Sequence, residues 1–211
     1  MRYPPLVHEE SAFNFESPPS DPMTAFKVWF DAAKEVTTLP NPNAMSVATV
    51  DAAGQPSVRV VLCRGYDTNG VVFFTNRESR KGEALKANPR ACANFHWDQL
   101  DRQIRIEGRV VHTSEEESDA YWASRNRENR VNSKASQQSR PVGSRAELEQ
   151  AAANVEKEYE GKDIPRPPHW GGFRIALERV EFWQGHHHRL HDRIIYELQA
   201  DGTYKTTRLY P

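Results

Sequence analysis

From residue 44 onward the chain repeats one pattern: short segments with an apolar period of two, separated by polar turns. Alternation of this kind places every second side chain on one face and is typical of β-strands. The seven or eight predicted strands are 44–50, 57–64, 71–76, 91–97, 103–112, 172–185, 190–198 and 203–210. Short strands that follow one another across turns favour an antiparallel sheet over a parallel, doubly wound one.

Helices are predicted between these strands from capping side chains and proline stops. They cover about 20–36, 79–88, 113–124 and 144–159. The polar and basic segment 125–145 has few apolar anchors, and no element is assigned to most of it. The predicted fold class is therefore mainly β with helices (α+β), a β-barrel decorated with helices.

Features of the whole chain limit what the protein can bind. Residues 1–19 are rich in Pro, Ser and Glu and predict a flexible arm, which leaves 20–211 as a single domain. Lys and Arg total 28 against 29 Asp and Glu, so no overall charge favours nucleic acid or a membrane surface. No apolar run approaches membrane-spanning length. Cys63 and Cys92 lie in strand-like contexts, so we expect reduced thiols and a cytoplasmic protein.

Any phosphate recognition by this chain must come from side chains. The sequence has no Gly-rich phosphate loop, no Ser elbow and no Cys/His pairs at zinc spacing. Basic residues instead cluster at strand ends, helix starts and loops: Arg59, Arg64, Arg80, Lys81, Arg125, Arg127, Arg130, Arg189 and Arg193. A guanidinium group can bind phosphate through two parallel hydrogen bonds, so at least one anion site is expected.

Four of the eight histidines fall in the stretch 185-GHHHRLHDR-193. Neighbouring side chains of an extended segment point to alternate faces, so His186, His187 and His188 would converge poorly on a metal ion. We predict that these three residues form a turn, and no metal site is assigned.

Seven segments, in this order, resemble the pyridoxine/pyridoxamine 5'-phosphate oxidase family over about 21–211. They are 59-RVVLCR-64, 74-FTNRESRKG-82, 102-RQIRIEG-108, 136-SQQSRPVGSR-145, 170-WGGFRI-175, 181-EFWQG-185 and 189-RLHDR-193. The resemblance implies an FMN-binding split β-barrel of antiparallel Greek-key type. It also implies a homodimer with FMN at the subunit interface, completed by the strands of 170–211.

The resemblance further assigns residues to the ligands, by matching motif positions. The implied FMN contacts are Arg59, Val60, Val61, Leu62, Cys63, Arg64, Phe74, Thr75, Arg80, Lys81, Gln103, Gln138, Ser139, Trp183 and Arg193. The implied contacts to the substrate phosphate are Arg64, Tyr121, Arg125 and Asn129. Arg189 and His191 are the implied catalytic pair, which binds the substrate and orients its ring over the flavin. They alternate along a predicted strand, which would turn both to one face and leave Asp192 structural on the other.

The implied reaction is oxidation of pyridoxamine or pyridoxine 5'-phosphate to pyridoxal 5'-phosphate. A hydride would pass from C4' of this small phosphorylated pyridine to flavin N5, and O2 would reoxidise the flavin with release of H2O2. The flavin carries the redox chemistry, whereas the protein supplies binding and orientation.

The chain departs from the family pattern on the substrate side. Arg64 stands where Lys is common, Asn126 and Asn129 replace Pro and Ser, and 131-VNSK-134 replaces an apolar run. The basic N-terminal segment common in the family is not recognisable in 1–19. Two alternatives stay open: a diverged FMN oxidase acting on another reduced ring, as in phenazine biosynthesis, and a flavin- or pyridoxal-phosphate-binding protein with little turnover. The 136–145 motif favours the vitamin B6 enzyme over the first, and the catalytic pair disfavours the second.

Overall fold

The computed structural model describes residues 14–211, and within them the strands form a ten-stranded sheet with antiparallel neighbours. The strands are β1 Ala44–Val50, β2 Pro56–Leu62, β3 Gly65–Asp67, β4 Gly70–Asn76, β5 Arg90–Trp97, β6 Arg102–His112, β7 Trp170–Ile175, β8 Arg179–Gln184, β9 Asp192–Leu198 and β10 Tyr204–Arg208. The helices are α1 Pro22–Val36, α2 Arg80–Ala87, α3 Glu115–Ser124, α4 Arg127–Ala135 and α5 Arg145–Glu158. This arrangement confirms the predicted α+β class.

Strand β6 is the point at which the sheet branches. The main path runs β10-β9-β8-β6-β5-β1-β2, and β7, β4 and β3 form the branch. One edge of β6 pairs with β5, while the other pairs with β8 along 102–107 and with β7 along 110–112. Because β6 pairs with two strands along one edge, the sheet curls. Some neighbouring strands, such as β6 and β8, are therefore far apart in sequence.

The inner face of the curled sheet forms the main core, and α1 covers it. Rings of α1 contact rings of the sheet: Phe26 lies 5.3 Å from Phe95, and Trp29 lies 5.3 Å from Phe182, between centroids. Full burial of one such ring contributes on the order of 1.5–3 kcal/mol. Asp21 caps α1 with its side chain, as predicted. Four aromatic residues of this core are buried: Trp29, Phe30, Phe73 and Phe95.

The described end of the N-terminal arm contacts this core. Phe15 is half-buried, and its ring centroid lies 6.2 Å from that of Trp29. Glu16 forms an ion pair with Arg208 of β10. Phe15 and Glu16 therefore attach this end of the arm to α1 and β10, while the rest of the predicted arm lies outside the described residues.

The predicted strand 172–185 is two strands. Residues 176–178 carry the chain from the branch to the main path, crossing the backbone of β6. The backbone N–H of Ala176 donates to the carbonyl of Arg109 at 2.8 Å, and that of Glu178 to the carbonyl of Glu107 at 3.2 Å. The alternation of Phe173, Ile175 and Leu177 shifts phase at Glu178–Arg179 before it resumes at Val180, and this step marks the change of partner.

Helix α4 lies in the segment to which no element was assigned. Val131 is its single buried residue. A helix with one apolar anchor lacks the stripe by which helices are recognised in sequence. Strand β7 begins at Trp170, two residues before the predicted start at 172.

Cys63 and Cys92 are both free thiols, as expected. Across residues 14–211, no helix has the length and apolar character needed to cross a membrane.

Gly108 occupies the branch point of β6, and this position should not tolerate a side chain. A Cβ at Gly108 would overlap the carbonyl oxygen of Ala176 and lie 2.8 Å from its carbon. A backbone group cannot swing aside, so Gly108→Ala should lower the free energy of unfolding by about 1–3 kcal/mol. Gly65→Ala is the control, because the nearest atom to its added Cβ would be Val72 Cβ at 3.8 Å. Denaturant titration measures both variants, and equal midpoints would contradict this role of Gly108.

Candidate functional site

A first cluster of predicted flavin residues lies where β4 leads into α2. Lys81 Nζ donates hydrogen bonds to Thr75 Oγ1 at 3.0 Å, Ser79 Oγ at 3.1 Å and Gln138 Oε1 at 2.6 Å. Thr75 Oγ1 also donates to Gln138 Oε1 at 3.0 Å. One buried ammonium group therefore joins a strand, a helix start and the loop that follows α4.

The local sequence leaves the start of α2 open to an anion. Ser79 precedes the helix, but its hydroxyl donates to the carbonyl of Asn76 and makes no capping hydrogen bond. Without a side-chain cap, the first N–H groups of the helix have no side-chain acceptor. Such N–H groups attract negatively charged ligands.

Arg59 adds a second cation to this cluster. Its guanidinium donates to Val47 O at 2.9 Å, to Thr49 Oγ1 at 2.9 Å and to the Ser57 hydroxyl. Burial and, less strongly, repulsion by Arg80 lower the pKa of Arg59. Burial and, less strongly, repulsion by Arg59 lower the pKa of Lys81 to about 8.

No acidic side chain of the described residues contributes to the lowered pKa of Arg59 or of Lys81. Arg59, Arg80 and Lys81 thus form a group of cations that repel one another. A phosphate dianion would relieve this repulsion and accept hydrogen bonds from all three.

Stacked rings connect the first cluster to the residues expected to bind substrate. Phe74, which precedes Thr75 on β4, stacks on Tyr121 of α3 with 4.1 Å between centroids. Trp170 stacks on the same Phe74 at 5.7 Å. The Arg64 guanidinium lies 6.0 Å from the Tyr121 centroid. Phe74 and Thr75 are neighbours on β4, so this strand contributes one residue to the stack and the next residue to the first cluster.

Arg125, at the end of α3, is the inner cation of this second cluster. Its guanidinium lies 5.2 Å from the Trp122 centroid and 4.8 Å from that of Trp170. Nη2 donates to Ser133 Oγ at 2.8 Å, whereas Nη1 is buried with no hydrogen-bond partner among residues 14–211. Burial is the main cause of the lowered pKa of Arg125. A buried N–H without an acceptor is suited to an anionic ligand.

The structure brings Ser133, and not Asn129, to Arg125. Asn129 is exposed on the first turn of α4, and its backbone N–H donates to Asn126 Oδ1 at 2.9 Å. No contact among the described residues joins its side chain to Arg125. Sequence analysis missed Ser133 because it assigned no helix here. The available signal was the capping Asn126, followed by an acidic first turn and a basic last turn.

A third cluster forms one row on the outer face of the main sheet. Gln103 of β6 pairs with Trp183 of β8, which pairs with Arg193 of β9. The row faces away from the core, because an adjacent residue of each strand is buried: Ile104, Phe182 and Ile194. His191 joins the row through its ring, 4.7 Å from that of Trp183 between centroids.

The expectation that Arg189 and His191 lie on one strand is wrong. β9 begins at Asp192, and His187–Arg189 form a short 3-10 turn. His188 and Arg189 have positive φ angles of 59° and 64°. The predicted histidine turn is confirmed, and Arg189 is exposed on it. Within residues 14–211, no three His, Cys, Asp or Glu side chains are grouped to hold a metal ion.

His191 is oriented by its neighbours and not by strand alternation. Its Nδ1 accepts a hydrogen bond from the backbone N–H of His186 at 3.1 Å. The neutral ring therefore carries its proton on Nε2 and can donate from that atom. The His186 ring lies 2.7 Å from Asp192 Oδ2, and Asp192 also pairs with Arg208. Asp192 thus has the structural role expected of it.

The remaining predicted flavin residues divide between surfaces. Along β2, Val60 and Leu62 point to the outer face, while Val61 pairs with the buried Met45 on the inner face. Burial raises the pKa of the Cys63 thiol to about 11, so this group stays protonated. Ser139 lies in the loop after α4 with a positive φ of 73°.

Within one chain, the first and third clusters lie on opposite faces of the sheet. Arg59 pairs with Val47, which is fully buried on the inner face, whereas Trp183 belongs to the outer face. Strands β1 and β5 also separate β2 from β6, a distance of about 14 Å along the sheet. A single chain does not bring these two clusters together.

Comparison with known proteins places the chain in a family. Residues 31–159 match the family described as "Pyridoxamine 5'-phosphate oxidase", and residues 170–211 match "Pyridoxine 5'-phosphate oxidase C-terminal dimerisation region". A pyridoxine/pyridoxamine 5'-phosphate oxidase of Cupriavidus necator is 54% identical over 191 residues, which is 90% of this chain and 89% of that protein. One of Bordetella petrii is 50% identical over 204 residues, covering 97% and 96%.

Solved structures share the fold. PhzG from Burkholderia lata 383, in complex with tetrahydrophenazine-1-carboxylic acid, has a TM-score of 0.87 and 35% identity, covering 93% of this chain and 96% of that one. A pyridoxamine 5'-phosphate oxidase-related, FMN binding protein from Nostoc punctiforme has a TM-score of 0.69 at 15% identity, covering 92% and 99%. These likenesses confirm the predicted split β-barrel.

The matches and the geometry agree on the broad biochemistry. The protein is an oxidoreductase with FMN as cofactor, and its C-terminal region supports a homodimer. The cations of the first cluster, which lack an acidic partner among the described residues, fit the phosphate of that cofactor. The chain therefore belongs to the pyridoxine/pyridoxamine 5'-phosphate oxidase family.

Proposed function

We propose that the protein oxidises pyridoxamine 5'-phosphate, pyridoxine 5'-phosphate or both to pyridoxal 5'-phosphate. The observation that carries this proposal is the pair of cation clusters, one built around Thr75 and Lys81 and the other beside the stacked rings of Phe74 and Tyr121. Two clusters suit two phosphate groups, one of the cofactor and one of the substrate. When bound, FMN supplies the acceptor for the hydride that leaves C4', and O2 then takes up the electrons as H2O2.

The first cluster would hold the cofactor phosphate. Arg59, Arg80 and Lys81 supply positive charge, and the Thr75 hydroxyl lies 3.0 Å from Lys81 Nζ as a further polar group. Gln138, and Ser139 beside it, would close the site from the loop after α4. The lowered pKa of Lys81 supports this role, because an anion nearby would favour its charged form.

The outer-face row would meet the same cofactor from the partner subunit. Arg59 and Trp183 lie on opposite faces of one sheet, so one flavin reaches both only when a second chain contributes. Val58 and Val60, on the outer face of β2, are 68% and 67% exposed, as apolar surface that a partner covers would be. The region matched as a dimerisation region contains β8 and β9, which carry Trp183 and Arg193.

The second cluster would bind the substrate phosphate. Arg64, whose guanidinium lies 6.0 Å from the Tyr121 centroid, and the buried Nη1 of Arg125 would bind the phosphate, and Ser133 holds Arg125 in place. Asn129 stays a predicted contact. His191 would donate from Nε2 to the substrate ring, because its ring contacts Trp183 of the outer-face row, which would meet the flavin. Arg189 would complete the clamp from the adjoining turn.

A diverged FMN oxidase acting on another reduced ring is the second candidate. The likeness to PhzG, with a TM-score of 0.87, and the presence of Asn126, Asn129 and Ser133 on α4 or its cap favour it. The identity of 54% to a pyridoxine/pyridoxamine 5'-phosphate oxidase, against 35% to PhzG, favours the vitamin B6 reaction. The oriented His191 argues against a third reading, a binding protein with little turnover.

Anaerobic reduction of the bound flavin tests the substrate. FMN-loaded protein mixed with either phosphorylated vitamer should lose its visible flavin absorbance, which air then restores. Pyridoxamine without phosphate is the control and should react far more slowly, because it offers no anion to Arg64 and Arg125. Absence of reduction by both phosphorylated vitamers would exclude the proposed substrate. Reduction by a tetrahydrophenazine alone would support the second candidate.

Single substitutions should separate substrate binding from cofactor binding. Arg189→Ala should lower kcat/KM strongly and leave the flavin content nearly unchanged, because Arg189 lies outside the first cluster. Arg80→Ala and Lys81→Ala should each release FMN during gel filtration, because each removes a cation from that cluster. The ratio of FMN to protein and the steady-state kinetics measure this division. Equal loss of flavin in all three variants would contradict it.

The lowered pKa of Lys81 predicts a pH dependence of FMN binding. Lys81 loses its proton as the pH rises through about 8, and the neutral amine no longer attracts phosphate. The affinity should therefore fall above that pH, by at most about tenfold per pH unit because one proton is released. Lys81→Arg should remove this fall, since a guanidinium stays charged. Fluorescence titration of FMN-free protein measures both, and an identical fall in Lys81→Arg would assign the titration to another group.

A further inference from the structure

The outer face of β6, β8 and β9 carries a charged patch beside the row of Gln103, Trp183 and Arg193. Its members alternate with buried residues along the three strands, and register places them side by side. The patch contains three arginines and three glutamates: Arg105, Arg179, Arg193, Glu107, Glu181 and Glu197. The patch therefore has equal numbers of positive and negative side chains, and Arg193 is one of the positive ones.

Glu181 is the buried centre of this charged patch. Its side chain is 5% exposed, and both carboxylate oxygens have partners. Oε1 accepts from Arg193 Nε at 2.8 Å and from Arg193 Nη2 at 2.7 Å. Oε2 accepts from Arg105 Nη2 at 2.6 Å. A buried carboxylate is stable only with such partners, so Glu181 and Arg193 hold each other in one geometry.

The C-terminal residues hold Arg193 from the other side. Arg193 Nη1 donates to the carbonyl of Tyr210 at 3.1 Å, and the backbone N–H of Leu209 donates to the carbonyl of Arg193 at 2.9 Å. A guanidinium group has five N–H donors. In Arg193, Glu181 accepts from two of them and the carbonyl of Tyr210 from a third. Two N–H groups, one on each Nη, remain for a ligand.

We propose that Glu181 is a positioning residue for flavin binding. It holds the Nε edge of Arg193, so that the two remaining N–H groups are presented beside Trp183, the neighbour of Arg193 in the outer-face row. A side chain ordered in advance loses less rotamer freedom when the ligand binds. This inference rests on the proposed contact between Arg193 and FMN.

Glu107 provides a matched control within the charged patch. It accepts from Arg105 Nε at 3.0 Å and from Arg179 Nη1 at 3.1 Å. No contact among the described residues joins it to Arg193. Glu107→Gln therefore removes the same unit of charge from the patch as Glu181→Gln, without releasing Arg193.

A double-mutant cycle on FMN affinity tests the proposal. Glu181→Gln should raise the Kd for FMN at least about tenfold, as expected for loss of a charge-assisted contact, and Glu107→Gln less than about threefold. Arg193→Gln should also raise the Kd, and the double variant should match Arg193→Gln alone, because Glu181 acts through Arg193. Flavin fluorescence gives the Kd, and light scattering verifies that each variant remains a dimer.

Several results would overturn the role of Glu181. These are equal Kd values for Glu181→Gln and Glu107→Gln, multiplied effects in the double variant, and FMN loss that follows dissociation of the dimer. Should Glu181→Gln not fold, Glu181→Asp keeps the charge but withdraws the carboxylate, and an unchanged Kd there would overturn the role equally. An unchanged Kd in Arg193→Gln would remove Arg193 from the proposed site, whereas the anaerobic assay tests the reaction separately.

Discussion

The alternation of side chains across the main sheet is the constraint on which the functional site depends. It turns Arg59 toward the buried face with Val47 and turns Gln103, Trp183 and Arg193 away from it. No rotamer change moves a side chain from one face of a sheet to the other. The residues proposed to contact one flavin are thus divided between surfaces that only a second subunit can bring together. The exposed valines of β2 make that outer surface one that favours association.

The presence or absence of an acidic partner distinguishes the cations of the proposed site. Arg59 and Lys81 have no acidic partner among the described residues that shifts their pKa, and burial lowers both values. Their positive charge is available to a phosphate. Arg193, in contrast, donates to the buried Glu181 and to the carbonyl of Tyr210, which leaves it two donors and one orientation. The first arrangement suits attraction of an anion, and the second suits accurate placement of a hydrogen-bond donor.

Much of this organisation is visible in the sequence, for physical reasons. Period-two alternation and capping side chains identify most strands and four helices, because both are local signals. The crossing at 176–178 leaves only a small signal, a shift in the phase of the alternation at Glu178–Arg179. Helix α4 is missed because it buries only Val131, and with it the contact of Ser133 to Arg125. The turn that carries Arg189 interrupts a segment that reads as a strand.

The grouping of site residues is the part that sequence patterns do not supply. Lys81 and Gln138 are far apart in the chain, yet their side chains meet at 2.6 Å. Glu181 reads as an ordinary polar residue of an alternating strand, and only burial reveals it as the centre of a charged patch. Family resemblance names the proposed site residues, whereas the structure shows that one chain holds them in separate clusters.

Mixed dimers test the two-subunit site most directly. Lys81→Ala and Arg193→Ala chains, co-expressed with different tags, give dimers that contain one of each. If each flavin site takes Lys81 from one subunit and Arg193 from the other, a mixed dimer has one intact site and one doubly altered site. It should then bind about half the FMN of the unaltered dimer, while each variant homodimer binds little. Mixed dimers that bind no more FMN than the homodimers would contradict a site shared between subunits.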